Sequence, residues 1–104
     1  MNHILVHGNE DGTKVVWLFV ILVYDIGEKR VQKIAKVVKK YLYWVQNSVF
    51  EGEISDANLV KLKEELKRKI NKDEDSIILY LFRSLLYSER QTIGIEKGGQ
   101  DLFL

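Results

Sequence analysis

The chain has 104 residues, 46% of them hydrophobic and 30% charged, with no proline and no cysteine, which is the length of one domain. The lack of cysteine excludes disulfide frameworks, thiolate zinc sites, CxxC redox pairs and cysteine nucleophiles, and nothing implies an oxidising compartment, so a cytoplasmic protein is expected. Sixteen basic and fifteen acidic side chains leave a formal charge of +1, so any affinity for nucleic acid has to come from local clustering. A domain this small buries a modest share of its surface, and its aromatic and aliphatic content favours a core shared between subunits.

Residues 1–14 show no periodicity. The first patterned segment is the uncharged run Val15 to Tyr24. It is too short for a membrane helix, which needs ~20 such residues. It is also preceded by Glu10 and Asp11 where a signal peptide would be basic, so no membrane partner is expected. Valine, isoleucine, tryptophan, phenylalanine and tyrosine are strand formers, and Asp25-Ile26-Gly27 supplies turn chemistry, which predicts a central strand over 17–25.

From Glu28 to Leu42 the apolar residues Val31, Ile34, Ala35, Val38, Tyr41 and Leu42 follow helical spacing, while six basic residues against one acid take the other positions. Tyr43 to Ile54 is strand-like, but its alternation slips at Asn47-Ser48. It reads either as one bulged strand or as two short strands around a turn. Ser55 is placed to cap a second helix, with Asp56 in its first turn, Leu59, Leu62, Leu66 and Ile70 as its buried stripe, and Lys67, Arg68 and Lys69 at its negative end.

That helix is expected to stop near Asn71, and Lys72-Asp73-Glu74-Asp75 reads as a solvated turn. Ile77 to Phe82 is a second buried strand and Gln91 to Ile95 a more polar one. The order predicts an α+β, ferredoxin-like βαββαβ sandwich with an additional C-terminal strand, spanning residues 16–97. Residues 1–15 are read as a disordered or non-native leader. The segment 98–104, ending in Leu102-Phe103-Leu104, is read as a tail that docks on a partner.

Candidates for chemistry are few. Asp25 stands where a buried strand delivers a carboxylate to the end of the sheet, a position suited to magnesium; an aspartate before a glycine and a helix is equally at home as a turn or capping residue. One carboxylate is a poor metal site, so the metal reading needs a second Asp25 across a two-fold axis. Lys29, Lys33, Lys36 and Lys40 recur along one side of the first helix and could track phosphates, although charged helix faces are also commonly just solvated. His3 and His7 have helical ligand spacing but no third ligand. Ser48 has no nearby histidine to activate it, and no glycine-rich phosphate loop occurs.

Val20-Ile21-Leu22-Val23-Tyr24-Asp25-Ile26, then a basic helix, then Trp44-Val45-Gln46-Asn47-Ser48-Val49-Phe50-Glu51-Gly52-Glu53 resembles the CRISPR-associated endoribonuclease family Cas2, the small dimeric partner of the spacer-acquisition integrase. The resemblance extends from residue 17 to about 97 and implies a ferredoxin-like homodimer whose C-terminal strand adds to the partner's sheet. It implies that Asp25 is the catalytic and magnesium-binding aspartate (manganese being an alternative ion), facing its twin in the dimer. Tyr24, Ser48 and Phe50 become supporting site and interface residues, and Arg30 and Lys29 become nucleic-acid contacts, joining Lys33, Lys36 and Lys40 of the basic helix face.

Two activities follow from the resemblance: metal-dependent cleavage of RNA or duplex DNA, and DNA binding that scaffolds the integrase. A toxin-type endoribonuclease of the same fold outside CRISPR is the alternative. Trp44 departs from the family pattern, standing where many relatives carry arginine. Residues 1–15 depart too, since relatives begin directly on the first strand; the leader is therefore expected to be an upstream start or an addition ahead of Val16.

Overall fold

The computed structural model describes residues 6–8, 14–83 and 88–96. The chain forms β1 (Val6–Gly8), β2 (Lys14–Asp25), α1 (Val31–Val38), β3 (Tyr43–Gln46), β4 (Val49–Ser55), α2 (Asp56–Lys69), β5 (Ser76–Phe82) and β6 (Ser88–Gly94). The sheet order is β3-β4-β2-β5-β6, with β1 pairing β2 off that path, and every pairing is antiparallel. The fold is therefore α+β, as expected. The tail 98–104 and His3 lie outside the described residues.

β2 is central because its alternation serves two environments. Leu18, Val20 and Leu22 are buried on one side, whereas Trp17, Phe19, Ile21 and Val23 are half-buried on the other. The first side meets Ile34, Val37 and Val38 of α1 and Leu59, Leu62 and Leu66 of α2 in one core, together with Phe50, Ile54, Ile77, Leu79 and Leu81. Both helices thus cover a single face of the sheet. The other face carries Phe19 and Phe82, whose rings lie 6.2 Å apart, and among the described residues no element covers it.

Several local expectations are refined. β2 begins at Lys14, and Val6–Gly8, within the segment read as patternless, pairs with Lys14–Val16. α1 is regular only over eight residues. Its predicted first turn is replaced by a turn in which Arg30 N donates to Gly27 O, and its last by tightened bonds from Lys40 N to Val37 O and Tyr41 N to Val38 O. Both readings of residues 43–54 contribute: Asn47, at φ 45°, and Ser48 turn the chain between β3 and β4, and the register also shifts between Trp44 and Gln46. Ser55 caps α2 as expected, its hydroxyl accepting from Asn58 N at 3.2 Å.

Candidate active site and nucleic-acid interface

Asp25 ends β2 opposite Ser76 of β5. The alternation that sends Leu18, Val20, Leu22 and Tyr24 toward the helices sends Asp25 to the open face, where it is exposed. Tyr24 N donates to Ser48 O at 3.1 Å, and the Tyr24 and Phe50 rings are 6.0 Å apart. The structure thus brings Tyr24, Ser48 and Phe50 together behind Asp25. Phe50 is 1% exposed and belongs to the helix-side core, so its contribution is packing beneath Tyr24. Trp44 is exposed, and its indole Nε1 donates to Asn47 O at 2.9 Å, bracing the turn that carries Ser48.

The loop after Asp25 is held by a residue that sequence reasoning placed in solvent. Asp75 is fully buried. Its Oδ1 accepts from Gly27 N at 2.8 Å and from Arg30 Nη2 at 3.0 Å, and its Oδ2 accepts from Arg30 Nε at 2.6 Å and from Asn71 N at 2.8 Å. The Arg30 guanidinium first, then the backbone donors, hold the Asp75 carboxyl well below the usual carboxylate range against the opposing effect of burial. Asp75 and Glu74 in turn raise Arg30 further above its already high value. Arg30, expected to face nucleic acid, is therefore committed to Asp75 and, at 2.8 Å, to Glu74. Gly27 is packed against that guanidinium, and a side chain there would press into it. The only hint in the sequence is an aspartate directly before an apolar strand.

The basic residues are divided. Lys29 lies in the loop with Glu28 and Glu74 around a shallow depression. Lys33, Lys36 and Lys40 line a cleft between α1 and α2 that Arg68 and Lys69 complete. Lys40 Nζ meets both oxygens of Glu65 at 2.8 Å, and Tyr41 OH donates to the same carboxylate at 3.2 Å.

Among the described residues no group of three or more His, Cys, Asp or Glu side chains is arranged to hold a metal. At the end of β2 the metal donor among the described residues is the exposed carboxylate of Asp25. That suits a magnesium ion, which keeps several waters and takes one or two carboxylates together with substrate phosphates; it does not suit zinc, whose protein sites are built around several His or Cys ligands.

Fold and site define a class: a small antiparallel α+β domain with one strand-end carboxylate on an open apolar face and a basic helix layer. A family model for CRISPR associated protein Cas2 matches residues 18–89, and the chain belongs to that family. It is 47% identical over 87 residues to a CRISPR-associated endoribonuclease Cas2 of Dictyoglomus turgidum, covering 84% of this chain and all of that protein. It is 51% identical over 81 residues to the one of Thermotoga maritima, covering 78% and 93%. A solved structure described as "Crystal structure of cas2" superposes with a TM-score of 0.63 at 40% identity, over 79% of this chain and 92% of that one. The toxin-type alternative outside CRISPR is thereby set aside. Among the described residues no helix is long and apolar enough to cross a membrane.

Proposed function

We propose that this protein is a metal-dependent endonuclease of CRISPR spacer acquisition that works in the cytoplasm as a ferredoxin-like homodimer. The observation that carries the reading is the position of Asp25, exposed at the end of β2 on the same sheet face as the half-buried Trp17, Phe19, Ile21, Tyr80 and Phe82. An apolar face of this kind is stable when a second copy covers it, and face-to-face packing sets the two Asp25 carboxylates on the shared side. The endoribonuclease names of the relatives support hydrolysis of RNA, with duplex DNA as the other substrate class.

Magnesium or manganese held by the Asp25 pair would polarise a phosphodiester and lower the pKa of a bound water. The chain's own residues do the positioning. Asp75 and Arg30 pin the loop from Gly27 to Arg30, Tyr24 is tied to Ser48, and the α1 lysines attract phosphates. The scaffolding role, holding duplex DNA and the integrase, is supported by the same basic helix layer. The test is cleavage of RNA and duplex DNA by wild type and Asp25→Ala with magnesium and with EDTA. The reading requires cleavage by wild type with magnesium only, and it fails if the variant cuts equally well.

A further inference from the structure

The cleft between α1 and α2 has a volume of about 800 Å3, and its walls carry Lys33, Lys36 and Lys40 from one side and Glu65, Arg68 and Lys69 from the other. Five cations face one carboxylate. Lys40 neutralises Glu65 at 2.8 Å, and Lys69 lies near enough to help Lys40 hold Glu65 below its usual range. Among the described residues Lys33, Lys36 and Arg68 form no ion pair. The whole chain carries only +1, so the positive charge gathered in this cleft is balanced by a net negative charge spread over the rest of the chain. Like charges gathered in one concavity cost folding free energy, and a ligand that neutralises them recovers that cost.

We infer that this cleft seats a phosphodiester backbone, with Arg68 and Lys69 of α2 as phosphate contacts alongside Lys33 and Lys36. The inference rests on the nucleic-acid reading above and deepens it. Lys33 and Lys36 lie about one turn apart on α1, ~4.5 Å at 1.5 Å per residue, which sets them against neighbouring phosphates of one strand. The cleft lies in the helix layer, whereas Asp25 points to the opposite face of the sheet. A backbone in the cleft is held away from the carboxylate of the same protomer, and a dimer packed through its open faces carries two such clefts on its outer sides. The contact serves to hold a long nucleic acid, which is what a scaffold requires.

Fluorescence anisotropy of the full chain with a duplex DNA and with a single-stranded RNA, over a salt series, tests this. Arg68→Gln/Lys69→Gln is compared with Lys61→Gln/Lys72→Gln, which removes the same charge outside the cleft. The cleft variant should flatten the log–log salt slope by about 1.8 for duplex and about 1.4 for single strands, and weaken binding at least about tenfold at low salt. Lys61→Gln/Lys72→Gln should keep the wild-type slope. Tripolyphosphate should raise the melting temperature of wild type and not of the cleft variant, each compared with its own melting temperature without the anion. Equal slopes in wild type and cleft variant, or equal flattening in both variants, overturn the cleft while leaving nucleic-acid function intact. Tripolyphosphate stabilisation without nucleic-acid binding by wild type overturns both readings and makes the cleft a small-anion site.

Discussion

The guanidinium of Arg30 meets both oxygens of Asp75, 45 residues away in the chain, with Nε 2.6 Å from Oδ2 and Nη2 3.0 Å from Oδ1. The pair joins the loop after Asp25 to the start of β5, and Asp75 is the fully buried member. Asp75→Asn keeps the shape and removes the charge that four donors were placed to meet, so it should cost about 3 kcal/mol of stability, measured by denaturant unfolding. Arg30→Lys should not restore the wild-type loop, because an ammonium cannot make the two-pronged contact.

The same pair sets an acid limit. The Asp75 carboxyl is held well below the ordinary aspartate value of 3.8, so between the two values the unfolded chain binds a proton that the native protein does not. Its contribution to stability is complete above about pH 4 and is lost as pH falls below it. Unfolding free energy measured from neutral pH downward should therefore fall steeply below about pH 4 in wild type, and less steeply in Asp75→Asn.

Gly94 should tolerate no side chain. Its φ is +96°, and a Cβ there would run into the backbone carbonyl of Asp75, the same carbonyl that accepts from Ile95 N at 2.9 Å. Gly94→Ala should cost on the order of 2–3 kcal/mol, with loss of amide protection concentrated in the β5–β6 ladder.

Asp25→Ala should melt within about 1 kcal/mol of wild type, since the residue is exposed and its neighbours are held through Asp75. Equal melting curves beside the lost cleavage would assign the effect to chemistry. A large drop in stability would make Asp25 a turn residue.

Phe19→Asp places a charge in the middle of the open face, against Phe82. Burying one such side chain is worth ~1.5–3 kcal/mol, so the dimer should weaken by at least tenfold. Sedimentation at several concentrations reads the shift. A wild type that sediments as a monomer throughout would remove the paired-carboxylate site.

The elements were legible in the sequence because each is set by its own pattern. The run from Trp17 to Asp25, the leucine stripe of α2 with its Ser55 cap, and Ile77 to Phe82 state their burial locally, and Asp25 was marked by ending one of them. The family was legible too, through the segment around Asn47-Ser48. Asp75 was misread because Lys72-Asp73-Glu74-Asp75 is, taken alone, a charged surface turn. The difference between a solvated aspartate and a buried one is a partner, and that partner arrives only when β2 pairs with β5 and sets residues 25 to 30 beside residue 75. The same pairing withdraws Arg30 from the basic set. Likewise Arg68 and Lys69 read as complements to a helix dipole, and only the packing of α2 beside α1 turns them toward Lys33 and Lys36. Hydrophobic periodicity records which side of an element faces the core, whereas charge pairing depends on distances between elements that no local pattern contains.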